Sequence, residues 1–381
     1  MSDLIRLLAL VPYPLDAAPS QRFRIEQWQS QLEQQGISVE LVPFASSGLM
    51  KLMHQPGHLF AKVTKFTAAL VRRITKIAAL SRYDVVLIHR AACLAGPALI
   101  ERAIKVFGKP VIFDFDDAIY LLHTTDANRR LGWLKFPRKT ATLCRIASHV
   151  VVGNDYLAEY ARQHNPRVTV VPSSVDLTWY REPKPRRVED RVVVGWMGSS
   201  TSQTHLEMFA PVLRHIGERS RLEFRIVSDR RPSLPGVEHV WRAWSAKTEA
   251  EELAQFDIGI MPIPDDDWAR GKCAMKALLY MSMGVPTICS PVGANRDVIE
   301  HGKNGFLAAA PEEWSARIQE LAADPSLRRR LGAEGRRTVE ERYSMTGCAN
   351  LFAGVVREVI QGQRAVPNTL REMKKSADRI G

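Results

Sequence analysis

Twelve short runs of mostly apolar residues, rich in valine, isoleucine and leucine, constrain this chain more than any other feature. The first six are LIRLLALVP, ISVELVPF, YDVVLIHR, KPVIFDFDD, SHVVVGN and RVTVVPSS, and most are separated by helix-length amphipathic stretches. After a basic, proline-rich segment, Arg181–Arg187, the pattern restarts with RVVVGWMG, LEFRIVSD, VEHVWRAW, FDIGIMPI, VPTICSP and GFLAA. Strands buried on both faces read as continuous apolar runs, so this alternation predicts parallel sheets wrapped by helices. The basic segment reads as a linker. The expected fold class is therefore α/β, with two doubly wound, Rossmann-like domains at residues 1–186 and 187–345, followed by a C-terminal helix and polar tail at 346–381. In such sheets ligands bind beyond the carboxyl ends of the strands, and two of them face to face make a central cleft.

The bulk numbers remove other classes. A chain of 381 residues with 45% hydrophobic and 25% charged residues has the material for two cores and is neither disordered nor fibrous. Its formal net charge of +12 implies an anionic partner: nucleic acid, an acidic membrane surface or a phosphate-bearing small molecule. No helix-turn-helix, zinc or aromatic-strand signature is present and the bases are spread over both halves, which argues against nucleic acid. The five cysteines, Cys93, Cys144, Cys273, Cys289 and Cys348, show no metal-ligand spacing and read as buried thiols of a reducing compartment. The N-terminal MSDLIRLLALVPYP is broken by Arg6 and reads as a first strand, not a signal peptide. No run approaches the ~18 apolar residues of a spanning helix. The expected location is the cytoplasm, in solution or on the inner face of the membrane.

Strand ends are where chemistry is expected. In GKCAMKALLYM, Gly271 precedes a strong helix-forming run, so the sequence predicts a helix start over Gly271, Lys272, Cys273 and Ala274 whose amides hold a phosphate. Lys272 and Lys276 fall four residues apart on one face, where they either meet that anion or are simply solvated. Asp265, Asp266 and Asp267 lie just upstream. In the first half, His89 and Arg90 end one strand and Asp114, Asp116 and Asp117 end the next. Ser20, Arg22 and Arg24 follow the first strand, with Ser20 a candidate N-cap.

The stretch FDIGIMPIPDDDWARGKCAMKALLYMSMGVPTICSPVGANRDVIEHGKNGF resembles the donor-binding region of the retaining family 4 glycosyltransferases of the two-domain GT-B fold, and RVTVVPSSVD resembles their strand followed by Pro-Asn-Gly-Val-Asp. The resemblance implies a nucleotide-diphosphate sugar as donor in the second domain and a glycan or lipid-linked acceptor in the first. It also implies no covalent protein nucleophile and no required metal or other cofactor. By the same resemblance the last helix, GCANLFAGVVREVI, crosses back to the first domain, and Asp116 falls near a histidine that faces the donor sugar. Asp116 and His89 are the expected catalytic residues; Asp116 reads equally as part of a helix-capping cluster, and His89 as a structural histidine.

Two departures stand out. The family's two glutamates, which reach the donor sugar and the ribose, align with Gly271 and Leu279, and Asp267 with its neighbours is the candidate replacement. The family's Arg and Lys for the diphosphate are missing from GWMGSSTSQTHL, where Gly198, Ser199 and Ser200 offer amides and hydroxyls and Lys272 offers the charge. A chain without these groups also reads as a non-catalytic binding protein of the same fold.

One more feature concerns surfaces. Over residues 57–80, Leu59, Val63, Phe66, Leu70, Ile74 and Ile77 recur at helical spacing among Lys62, Lys65, Arg72, Arg73 and Lys76. Such a helix either packs on its own domain or lies on an anionic membrane, and the basic stretch at 128–145 with Trp133 and Phe136 fits the second use.

Overall fold

The structure, a computed structural model, describes residues 4–53, 55, 57–121, 136, 138–181, 191–218 and 222–377, with side chains described as far as residue 362. All twelve apolar runs form strands. The first sheet holds β1 (Ile5–Val11), β2 (Ile37–Pro43), β3 (Val85–His89), β4 (Val111–Phe115), β5 (His149–Val152) and β6 (Val168–Val170), in the order β2-β1-β3-β4-β5-β6. The second holds β7 (Val192–Met197), β8 (Leu222–Ser228), β9 (His239–Ala243), β10 (Ile258–Met261), β11 (Thr287–Cys289) and β12 (Phe306–Leu307), in the order β12-β11-β10-β7-β8-β9. Every pairing is parallel. Central strands such as β3 and β4 are buried along their whole length, whereas the edge strands β2 and β9 leave residues exposed. That is why their sequences differ in polarity.

Strand order fixes where each sheet offers a crevice. In the first sheet the chain leaves β1 toward β2 and resumes on its other side at β3, and in the second it leaves β7 toward β8 and β9 and resumes on its other side at β10. Ligands of doubly wound sheets bind at such reversals, beyond the strands' carboxyl ends. The residues to follow are therefore those after β1 and β3, and those after β7 and β10.

The chain divides into two compact units, one running to Pro172 and rejoined by Cys348–Gly381, the other Ser173–Gly347. The division falls before the basic segment because Val175 pairs with the far end of the second unit: its N–H donates to the Tyr343 carbonyl at 2.9 Å and its own carbonyl accepts from Met345 at 2.9 Å. Residues 182–187 of the expected linker lie outside the described residues. The helix Met345–Ala377 packs within the first unit through Phe352, whose ring centroid lies 5.4 Å from that of Trp28, and through Asn350, which accepts from Gln35 at 2.7 Å.

The helix Leu59–Ala78 departs from its expected face. Phe66, Leu70 and Ile77 turn inward together with Ala69 and Arg73, while Leu59, Val63 and Ile74 are 75%, 55% and 53% exposed. Arg73 is buried because it satisfies strand ends, donating to the carbonyls of Val42 at 3.0 Å and Val11 at 3.1 Å. Burial lowers its pKa to about 10, so it stays a cation near neutral pH. Arg72 donates to the Phe44 carbonyl at 2.7 Å, and Lys76 pairs with Glu40. Half of the second basic stretch, Trp133 included, lies outside the described residues.

Candidate active site

The β10 exit builds the first half of the site in the second unit. Asp266 caps a one-turn helix, Asp267–Arg270, by accepting from the Ala269 N–H at 2.7 Å. This early cap corrects the expected helix start at Gly271: the main helix runs Met275–Ser282, and Ala274, at φ 54°, turns the chain into it. Gly271 is buried with ordinary right-handed geometry. Lys272 therefore precedes the helix, with its amine 5.3 Å from the Trp268 ring centroid, and does not share a helical face with Lys276. Lys276, in the first turn, reaches over Trp196, 5.5 Å from its ring centroid. Cys273 is half-buried and Ala274 fully buried.

Three contacts hold this helix in place. The Tyr280 hydroxyl accepts from the Met197 N–H at 2.9 Å, tying the helix to the end of β7. The Tyr280 ring occupies the space where a Cβ on Gly259 would sit, 2.5 Å away, so β10 needs glycine there. At the far end Gly284 donates to Met281 at 3.0 Å and Val285 to Tyr280 at 3.0 Å, the Schellman pattern for which Gly284 supplies the positive φ of 68°. The β11 exit presses on the lead-in: a Cβ on Gly293 would lie 2.5 Å from the Arg270 carbonyl oxygen. The glycine turn after the second apolar run of the motif thus exists to let two backbone segments touch.

The β7 exit supplies the other half. A Cβ on Gly198 would meet Lys276 Cε at 2.7 Å and Trp196 at 2.6 Å, so Gly198 and Lys276 are direct neighbours across the switch point of the second sheet. Ser200 is otherwise engaged. Its N–H and hydroxyl donate to the Asp229 carboxylate at 2.6 and 2.9 Å. Ser199 shares a hydrogen bond with Thr201 at 2.7 Å. Asp265 and Asp267 pair with Arg270 at 2.7 and 3.2 Å, exposed contacts of small energetic weight. Leu279, at the second glutamate position, is 7% exposed and packs in the core.

The first unit gathers a second cluster at its own switch point. The β3–β4 register sets His89 beside Asp114. His89 Nδ1 lies 2.6 Å from Asp114 Oδ2, and Arg24 grips the same carboxylate at 2.5 Å on Oδ1 and 3.2 Å on Oδ2, while donating to the Val171 carbonyl at 2.6 Å. All three side chains have 0% exposure. Burial opposes ionisation of Asp114, but the Arg24 charge and the hydrogen bonds from His89 and Arg24 outweigh it and hold its pKa at about 2. Ser20 is not an N-cap: it lies inside the helix Pro19–Arg24, with its Oγ 3.4 Å from His89 Nε2. Asp116 accepts from Arg90 at 2.8 Å, and Asp117 pairs with the same guanidinium. The sequence named Arg24 and Asp114 only in passing, and Asp229 and Tyr280 not at all. Asp229 follows an obvious strand, so its place at a strand end was the available signal.

With this geometry in view, comparison with known proteins is direct. Residues 24–179 match the family model described as Glycosyltransferase Family 4, and residues 191–324 match Glycosyl transferases group 1. The two halves are glycosyltransferase domains. Among solved structures, the chain is similar to sucrose-phosphate synthase from Thermosynechococcus elongatus, with 13% identity, TM-score 0.68, and 94% of this chain and 100% of that one covered. It is also similar to a glycosyltransferase from Rickettsia africae, at 12% identity, TM-score 0.67 and 94% and 99% coverage, and to Anabaena Alr3699/HepE, at 15%, 0.67, 93% and 100%. At these identities the likeness establishes the fold, which is GT-B. A curated relative, spore coat protein SA of Bacillus subtilis, is 38% identical over 66 residues, a match spanning 16% of this chain and 18% of that protein. The glycosyltransferase domains place their distinctive polar residues at the switch point of each sheet. Among the described residues, no group of His, Cys, Asp and Glu is arranged to hold a metal ion, and no helix is long and apolar enough to cross a membrane.

Proposed function

We propose that this protein is a retaining glycosyltransferase that moves a hexose from a nucleotide-diphosphate sugar, bound by the second unit, to a glycan or lipid-linked hydroxyl, bound by the first. The observation that carries this reading is the pairing of Gly198 with Lys276 at the β7–β10 switch point, inside a domain matched as Glycosyl transferases group 1. Glycine leaves room for the Lys276 and Trp196 side chains at the strand end, and the lysine and the first-turn amides of the Met275–Ser282 helix offer positive potential to a diphosphate that gains charge as it leaves. The Anabaena neighbour has been solved in complex with UDP and glucose, which supports a donor of this class. His89 and Asp116 belong to the acceptor side, and no metal or other cofactor enters this reading.

The Asp229 carboxylate on the Ser200 donors favours a second reading, a binding protein without turnover, because it places negative charge beside the diphosphate site. A thermal-shift panel of sugar nucleotides, beginning with UDP-glucose, decides between them. Specific binding at a hundred times the dissociation constant adds roughly 2.7 kcal/mol and raises the melting temperature. A raised melting temperature with nucleotide release supports the transferase; a raised one without release, acceptors included, supports the binding protein. No response to any sugar nucleotide removes both.

The same proposal places the protein on the inner face of the membrane through the helix Leu59–Ala78. From Leu41 to Tyr83 the sequence contains no Asp or Glu, and the helix exposes Phe60 at 86% beside Leu59. Because Arg72, Arg73 and Lys76 already serve the protein's own carbonyls and Glu40, apolar insertion carries more of this binding than charge does. The chain is expected to float with anionic phospholipid vesicles at physiological salt, and Phe60→Asp to weaken that association about tenfold or more. Flotation unaffected by the substitution, or absent altogether, rejects this placement.

A further inference from the structure

Across the carboxyl edge of the second sheet the strand exits follow the order β10, β7, β8, β9, and the β8 exit carries a carboxylate. Asp229, the first residue after β8, accepts from the Ser200 N–H at 2.6 Å on Oδ1 and from the Ser200 hydroxyl at 2.9 Å on Oδ2. Ser200 opens the helix Ser200–Met208, just after Gly198, so the carboxylate is held beside the β7 exit from the neighbouring strand. The backbone under it is fixed. The Ser228 hydroxyl donates to the Arg230 carbonyl at 2.6 Å and accepts from Trp241 Nε1 at 3.2 Å, and the Ser228 carbonyl accepts from the Trp244 N–H at 3.0 Å. Asp229 itself is exposed.

Capping explains part of this arrangement. Ser199, at the N-cap position, makes no side-chain bond to the helix, and Asp229 supplies one in its place. Yet a carboxylate next to a diphosphate site weakens anion binding, and a cap needs no charge, since serine or asparagine serves as well. Each oxygen accepts one bond from Ser200 and has a further lone pair to offer.

A nucleotide supplies donors for those lone pairs. Its ribose hydroxyls are neutral, lie next to the diphosphate, and donate charge-assisted hydrogen bonds to a carboxylate. Parallel strands stand about 4.8 Å apart, the scale of one phosphate-to-ribose step, so a diphosphate over Gly198 puts the ribose over an adjoining exit. Two exits adjoin β7. On the β10 side the following exit is closed, because a Cβ on Gly293, after β11, would lie 2.5 Å from the Arg270 carbonyl oxygen. On the β8 side the following exit begins with Trp244, half-buried and anchored by Nε1 on Glu249 at 2.6 Å, an aromatic surface for a base. In dinucleotide-binding sheets of the same strand order, an acidic residue following the first glycine turn and its helix takes the ribose hydroxyl.

We propose that Asp229 is a specificity-determining residue of the donor site, accepting the ribose hydroxyls of the nucleotide and so selecting ribonucleotides over 2′-deoxyribonucleotides. The proposal rests on the second unit binding a nucleotide-diphosphate sugar, which both readings above share. It also gives the carboxylate beside the diphosphate a use, with repulsion of the phosphate offset by bonds to the ribose.

The test uses the full chain and three pairs of probes, UDP, GDP and ADP, each against its 2′-deoxy counterpart, read by titration calorimetry at fixed salt. Wild type is expected to bind the ribonucleotide of its preferred pair about tenfold or more tighter than the deoxyribonucleotide. Asp229→Ala is expected to bring that pair within about twofold, with the 2′-deoxy member bound at least as tightly as by wild type because the charge beside the diphosphate is gone. Asp229→Asn keeps an oxygen for the helix start, which secures the measurement in a folded chain, and is expected to lower the preference severalfold. A residue that only caps the helix would lower the melting temperature in these variants and leave the ratio unchanged. That result overturns the proposal, as does a wild type that binds both members of its pair equally. A wild type that binds none of the six nucleotides rejects the donor reading itself, and this proposal with it.

Discussion

Replacing Arg24 with methionine is expected to destabilise the first unit by about 3 to 5 kcal/mol, the cost of stranding a buried charge. Arg24 and Asp114 both have 0% exposure, and the guanidinium makes two bonds to the carboxylate and one to the Val171 carbonyl. Methionine fills much of the volume but leaves Asp114 with His89 as its remaining side-chain partner and Val171 with a lost donor. A second substitution separates packing from charge. In Arg24→Met with Asp114→Leu no charge is stranded, and a buried pair replaced on both sides costs far less than one broken on one side. Much of the stability is therefore expected to return, although His89 loses its acceptor. Hydrogen exchange of β3 and β4 peptides is the appropriate measurement, because a two-unit chain does not unfold in one step. Single and double variants exchanging at equal rates would contradict this account.

The same carboxylate predicts a pH dependence with a definite sign. Its folded pKa of about 2 lies below the ordinary 3.8, so the ionised form stabilises the fold. That contribution is complete above about pH 4 and is lost as pH falls through 2, roughly 2 kcal/mol in all. The difference in stability between wild type and Asp114→Asn is expected to shrink over that window.

Strand positions were legible in the sequence because burial on both faces leaves a strand no polar alternation, and that signal is local. The pairs that build the sites are not local. His89 and Asp114 are 25 residues apart, Ser20 and His89 are 69 apart, and Arg24 and Asp114 are 90 apart. No periodicity links them; only the strand order does. The helix start was misplaced for a different reason. Asp266 is one of three consecutive aspartates, any of which reads as a cap, and the structure uses it to form a single turn before Ala274 reverses the chain. That one turn moves Lys272 out of the helix and leaves Lys276 as the lysine beside Gly198. The apolar face of Leu59–Ala78 was half misread because Arg73, a residue that normally marks a polar face, is drawn inward by two strand-end carbonyls.

Under the proposed function, donor binding is expected to depend on Lys276. Replacing it with methionine is expected to raise the dissociation constant for UDP-glucose, or for whichever sugar nucleotide shifts the melting temperature, by about ten- to a hundredfold. Methionine is the informative choice because it preserves apolar cover over Trp196, so the loss reports the charge and not the packing. The magnitude follows from one charge-assisted hydrogen bond to phosphate, about 1.5 to 3 kcal/mol. Two comparisons locate the effect. Lys272→Met, outside the helix and over Trp268, is expected to cost less than Lys276→Met. Ser200→Ala is expected to leave affinity within about twofold if Asp229 keeps the serine's donors from the ligand, since the lost hydroxyl then served the carboxylate alone. Titration calorimetry at fixed salt reads all three variants. A Lys276→Met chain that binds as tightly as wild type would move the diphosphate away from Gly198, and the β7–β10 switch point would no longer be the donor site.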